Sequence, residues 1–198
     1  MKISATILAA GESVRMGSEN KLLLDYGGIP MIRHICKTII SSNFNSVKVI
    51  TGFEKEKIES VLSDLNLSMI NNNKWHNGIS SSIAIGISSL LDGTDGNMIV
   101  LGDMPLISVK VLNKLSNAFK LENAKKIVYP LYAGQQGNPV IFPKKYFPDI
   151  ISNKSGLGCK KIIERYKFNA LGVDIKSNEV IVDCDEEEDY LKLIEQTG

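Results

Sequence analysis

Long apolar runs, a cysteine framework and an excess of either charge are all missing from this 198-residue sequence. No apolar stretch approaches the roughly 20 residues that a membrane-spanning helix needs, so no membrane partner is expected. Cysteine occurs three times, at Cys36, Cys159 and Cys184. An odd count at wide spacing builds neither a disulfide framework nor a zinc site. It fits buried free thiols in a reducing cytosol, which makes the expected location cytoplasmic. His34 and His76 each lack a second His or Cys at ligand spacing, so both read as surface or packing residues. Lys and Arg total 23 against 22 Asp and Glu, a net charge of +1. The basic excess of a nucleic-acid binder is absent, and no nucleic-acid partner is expected. An anionic small molecule stays open, because a local pair of cations can hold phosphate without moving the total.

What is present is an ordinary globular composition, 43% hydrophobic and 23% charged, at a length that suits a single domain over residues 1–198. The N-terminal MKISATILAAG runs straight into a glycine loop and reads as a core strand, not a signal peptide. Short β-branched runs predict strands at residues 3–9, 47–51, 67–70, 98–101, 127–130, 139–142, 171–174 and 180–182. Helical periodicity appears at residues 30–42, 55–62 and 79–91, then from the capping Ser108 to about residue 121, near residues 158–166, and from about residue 186. This alternation predicts an α/β fold: a mostly parallel, Rossmann-like sheet in a three-layer α/β/α sandwich.

Ligands of open α/β sheets sit outside the carboxyl ends of the strands. The first such end carries LAAGESVRMGSENK, in which Gly11 and Gly17 allow close backbone approach. Arg15 and Lys21 supply two cations suited to a polyphosphate. The glycine spacing fits neither a Walker A loop nor a dinucleotide fingerprint. Taken alone, the segment reads equally as a plain βα loop with solvated cations. A second carboxyl end carries VLGDMPLI, where Asp103 suits a hard cation such as Mg²⁺. That aspartate alone reads as readily as a turn former or helix cap. The acidic residues 185–189 (DEEED) read as a solvated first turn favoured by the helix dipole.

Together these segments resemble the MobA-like NTP transferase family, and within it the molybdenum cofactor cytidylyltransferases. The resemblance rests on LAAGxSxRMG with the following Lys21, GIPMI at residues 28–32, and NxxWxxGxSSSI at residues 72–83. It continues with GDMP at residues 102–105, GNPV at residues 137–140 and DxDxxED at residues 183–189. It departs at three places. One extra residue precedes Lys21, SGLGCK at residues 155–160 replaces GDxGAR, and EEED replaces TPED.

The resemblance implies roles by position. Leu8, Ala9, Ala10 and Gly11 would run along base and ribose, with Gly78 and Ser82 also binding the nucleotide. Arg15 and Lys21 would hold the triphosphate and act with Asp103 in catalysis. Asp103 would bind Mg²⁺, with Asp185, or else Asp183, approaching from the other side. Asn138, Pro139 and Lys160 would face the acceptor. The implied reaction moves CMP from CTP onto the terminal phosphate of molybdopterin and releases pyrophosphate. Its partners would be an NTP, a phosphorylated small acceptor, and a molybdoenzyme or its chaperone. The guanylyl branch has LAGG where this chain has LAAG, so the Ala10 methyl narrows the slot and favours a pyrimidine. The alternatives are a guanylyltransferase on molybdopterin, a cytidylyltransferase on a sugar or polyol phosphate, and a non-catalytic nucleotide sensor or assembly module. Retention of Arg15, Lys21 and Asp103 together argues against the last.

Overall fold

The segment after Lys2 forms β1 (Ile3–Ala9), in which every residue is buried. In the computed structural model, which describes residues 1–12, 19–153 and 158–195, its side chains alternate between two cores. Ile3, Ala5, Ile7 and Ala9 enter one, and Leu8 enters the other. A strand buried on both faces belongs in the middle of a sheet. β1 accordingly pairs in parallel with β4 (Ser46–Thr51) on one side and β6 (Gly96–Leu101) on the other.

A short hairpin, β2 (Asp25–Tyr26) and β3 (Ile29–Pro30), leads into α1 (Met31–Ile40). After β4 come α2 (Lys55–Leu62), β5 (Ser68–Asn71) and α3 (Ile79–Ser88). After β6 come α4 (Val109–Leu121), β7 (Ile127–Tyr132), β8 (Gln135–Gln136) and β9 (Val140–Pro143). The last elements are α5 (Phe147–Ser152), α6 (Lys160–Arg165), β10 (Ala170–Asp174) and α7 (Glu187–Glu195). The main sheet runs β10-β7-β9-β6-β1-β4-β5, with β8 paired to β7. One core packs α1, α2 and α4 on the sheet through Ile35, Ile58, Leu112 and Phe119. The other packs α3, α5 and α6 through Ile83, Ile150 and Ile162. Helices therefore cover both faces of a mostly parallel sheet. Among the described residues no helix is long and apolar enough to cross a membrane.

Ser108 caps α4, its Oγ accepting from the Val111 N–H at 3.3 Å, a contact worth about 1 kcal/mol. Three features differ from the sequence reading. β9 runs antiparallel to β6 and β7, because the chain returns from β7 through a tight turn and not through a helix. Residues 180–182 do not form a strand; a 3-10 turn occupies Asn178–Val180. The Val180 carbonyl there accepts from the Asn138 N–H at 2.8 Å, so it serves the turn before β9 and not a ladder. The six-residue α5, with a proline in its first turn, is too short to show a helical period.

The loops after β1, β5 and β6 all leave the same carboxyl edge of the parallel strands. They bring together residues 10–12, 72–78 and 102–103.

Candidate active site

At that edge a cleft of about 510 Å³ is lined by Leu8, Ala10, Gly11, Lys21, Trp75, Gly78, Ser82, Leu101, Asp103 and Asp185, among others. Lys21 begins a 3-10 turn whose shape is fixed locally. The buried Asn20 side chain accepts from the Leu22 N–H at 3.1 Å, and Leu22 is itself buried against the sheet. From this anchored turn the Lys21 Nζ donates to Asp103 Oδ2 at 2.6 Å and to Asp185 Oδ1 at 2.8 Å. Asp185 is brought there by a backbone tether, the Cys184 N–H donating to the Asp103 carbonyl at 3.0 Å.

Burial works against the Lys21 charge, but Asp103 and Asp185 outweigh it and hold the ammonium above the ordinary lysine range. Asp183 is pushed above the usual carboxylate range, first by burial and then by the charges of Asp103 and Asp185. One ammonium thus faces three carboxyl groups. Among the described residues, no three His, Cys, Asp or Glu side chains form a cluster able to hold a metal ion. The other Asp103 oxygen, Oδ1, is buried and has no hydrogen-bond partner. A buried carboxylate oxygen without a partner has the chemistry of a hard-cation ligand, since Mg²⁺ uses one or two carboxylates together with phosphate oxygens and water.

The opposite wall is built from the β5–α3 loop. Gly78 has φ +84° at the head of α3, a conformation that favours glycine. Asn72 is fully buried, and its Nδ2 donates to Ser81 Oγ at 2.9 Å and Ser82 Oγ at 3.0 Å. Trp75 packs edge-on to Phe53 with centroids 5.6 Å apart. Its approach to the first loop depends on Gly52, where a Cβ would sit 2.8 Å from Ala10 Cβ, Ala10 O and Trp75 Cβ alike. The width between Ala10 and Trp75 is therefore set by a missing side chain. The Ala9 side chain points into the other core, beneath α1.

A second cleft of about 410 Å³ adjoins the first and shares Ile79 and Leu101 with it. Gln135, Gln136, Asn138, Cys159 and Lys160 also line it. Burial pushes the Cys159 thiol up to about 12, so it stays protonated at neutral pH. Pro139 follows Asn138 and is buried.

The structure thus gathers Leu8, Ala10, Gly11, Lys21, Gly78, Ser82, Asp103 and Asp185 around one cleft, and Asn138 and Lys160 around its neighbour. Arg15 and Gly17 lie outside the described residues, as does the first part of SGLGCK, residues 155–157. Two features were missed from sequence: the lysine bridge between carboxylates, and the buried amide of Asn72. The latter carried a signal, since it opens the NxxWxxGxSSS segment.

A model of the MobA-like NTP transferase domain matches residues 5–170. The chain belongs to this family. Its MobA-like fold is shared with Rv0371c from Mycobacterium tuberculosis H37Rv, with a TM-score of 0.87, 19% identity and 98% of each chain covered. That protein has also been solved in complex with manganese. CMP:2-keto-3-deoxy-manno-octonic acid synthetase complexed with CTP has a TM-score of 0.81 at 13% identity, over 99% of this chain and 98% of that one. At these identities the likeness is one of fold. In sequence, the bifunctional protein GlmU of Acholeplasma laidlawii is 26% identical over 178 residues, 89% of this chain and 36% of that protein. The chain spans only 24% of the length of the GlmU protein of Clavibacter sepedonicus. The MobA-like match ends before residue 183, so the position of Asp185 beside Lys21 rests on the structure.

Proposed function

We propose that this MobA-like chain is a Mg²⁺-dependent cytidylyltransferase that moves CMP from CTP onto the terminal phosphate of molybdopterin and releases pyrophosphate. One observation carries the reading: Lys21 meets Asp103 and Asp185 at one end of a cleft whose other walls are the LAAG backbone and Ser82. An isolated triphosphate would be repelled by these carboxylates, so the site calls for a cation before it can hold one. Asp103, through its unpartnered Oδ1, and Asp185 would hold Mg²⁺. Bound there, the ion would neutralise phosphate charge.

The residues of the chain account for the rest. Leu8, Ala10 and Gly11 would flank base and ribose, with Ser82 reaching the base from the head of α3. An acceptor phosphate in the second cleft would meet Asn138 and Lys160. Its anionic oxygen forms the new bond to the α-phosphorus, while the bond from that phosphorus to the β-phosphate oxygen breaks. The electron pair leaves with pyrophosphate, and no general base is needed. Catalysis is then positioning plus charge stabilisation, with the Lys21 ammonium serving the leaving group. A sugar or polyol phosphate is the second reading of the acceptor. It is served equally by a cleft in which Lys160 stands among neutral amides, a setting that suits one phosphate on either acceptor. A molybdoenzyme or its chaperone would receive a molybdopterin product.

Pyrophosphate release, measured with each NTP, Mg²⁺ and either molybdopterin or a panel of sugar and polyol phosphates, tests the reading. Release from CTP with molybdopterin is the expected result. Release only with a sugar phosphate would reassign the acceptor, and release only with GTP would reassign the base.

A further inference from the structure

We propose that Asn72 is a positioning residue that fixes the Ser82 hydroxyl as a hydrogen-bond donor to the base, an inference that rests on the nucleotide reading of the cleft. The amide is fully buried, and its orientation is set by its neighbours. Asn72 Oδ1 accepts from the Lys74 N–H at 2.9 Å, so the NH₂ end must face the serines. Its two hydrogens are then spent on Ser81 Oγ and Ser82 Oγ. Ser81 passes its own hydrogen to the carbonyls of Gly78 at 2.8 Å and Lys74 at 3.0 Å. Ser82 differs. Its Oγ accepts from Asn72, and among the described residues it donates to none.

Ser82 is 4% exposed and lines the nucleotide cleft. A hydroxyl has one hydrogen to give. With Asn72 occupying the inner side as a donor, that hydrogen is left for the cleft. Cytosine presents two adjacent acceptors, O2 and N3, to such a hydrogen, whereas the hydrogen-bonding edge of guanine has one acceptor, O6, beside the N1–H and N2–H donors. A donor hydroxyl at this point therefore favours the O2 and N3 side of cytosine over the N1–H and N2–H side of guanine. Asn72 never touches the base. It acts by denying Ser82 an inward acceptor.

The isosteric Asn72→Asp variant reverses this polarity. A carboxylate still accepts from the Lys74 N–H, but it also accepts from the Ser82 hydroxyl and draws that hydrogen inward. Binding of CTP and of inorganic tripolyphosphate, each with Mg²⁺, is measured by calorimetry on wild type, Asn72→Asp, Ser82→Ala and the double variant. In Asn72→Asp the expected result is about a tenfold rise in Kd for CTP, with tripolyphosphate unchanged. In turnover KM for CTP rises while kcat holds, as for a contact made equally in ground and transition states. Ser82→Ala should show the same loss, and the double variant no more than either single one. Equal weakening of tripolyphosphate, or losses that add in the double variant, would overturn the positioning role. Asn72→Ser is a second variant should the aspartate unfold the loop: its shorter hydroxyl holds Ser82 less firmly, so its Kd for CTP should lie between those of wild type and Ser82→Ala, with tripolyphosphate unchanged. A Kd for CTP equal to wild type, or an equal weakening of tripolyphosphate, overturns the inference. If the wild type binds GTP better than CTP, the cytidylyl reading fails on its own, and Asn72 is judged by whether Asn72→Asp still weakens GTP but not tripolyphosphate.

Discussion

The ammonium of Lys21 lies 2.6 Å from Oδ2 of Asp103, joining the first loop of the sheet to the end of β6 across 82 positions of sequence. The pair is mostly buried, with side-chain exposures of 13% and 16%. On the proposed reading, the lysine that neutralises Asp103 would also hold the triphosphate, through the third of its N–H donors.

Replacing Lys21 therefore has opposite effects on cation and nucleotide chemistry. Lys21→Ala leaves Asp103, Asp183 and Asp185 without their shared counter-ion, so Mn²⁺ should bind more tightly in the absence of nucleotide, as read by electron paramagnetic resonance titration. Turnover should fall about a hundredfold, and by more than CTP affinity falls, because charge on the leaving group grows in the transition state. A variant with wild-type Mn²⁺ affinity and turnover would remove Lys21 from the site.

Asp103→Asn keeps the shape of the side chain and removes its charge. Circular dichroism should show an unchanged fold, and pyrophosphate release should disappear at saturating Mg²⁺. Near-normal turnover would mean that the orphaned Oδ1 is not a metal ligand.

Ala10→Gly tests the base slot. Ala10 lines the cleft and abuts Gly52, so losing its methyl widens the wall beside the base. A change of this size alters selectivity by roughly 1–3 kcal/mol. The ratio of kcat/KM for CTP over GTP should shrink without inverting. An unchanged ratio would move base selection to the Asn72 and Ser82 side.

Lys160→Ala separates the two clefts. Lys160 lines the second and is absent from the first. KM for the phosphorylated acceptor should rise by about tenfold, the loss of one charge-assisted hydrogen bond, while KM for CTP stays as in wild type. A rise in the CTP value alone would place Lys160 on the nucleotide side.

The elements that the sequence made plain are those whose pattern is local. β1 and α2 fall at the expected residues, Ile3–Ala9 and Lys55–Leu62, because an unbroken buried run and a helical period each declare themselves within ten residues. The direction of β9 left no such mark, since a strand reads alike either way round. Residues 180–182 carry strand-like side chains, yet their backbone is claimed by Asn138, 42 positions earlier. At the site, motif spacing picked out Lys21, Asp103 and Ser82 one by one. That Lys21 would bind two carboxylates, one of them 164 positions away, depends on how the chain closes on itself. The importance of Asn72 depends on where each hydrogen of its amide goes, which no residue pattern encodes.

Ile79 and Leu101 stand on the boundary of both clefts. On the proposed reading, a molecule in which nucleotide and acceptor have been joined would reach past them and rest in both at once. It would keep the base, ribose and acceptor contacts of its two precursors, though not those to the departed pyrophosphate, while surrendering the rigid-body freedom of one molecule and not two. Such a molecule outstays either precursor. The first round of chemistry should then appear as a rapid burst, and every later round should wait on departure.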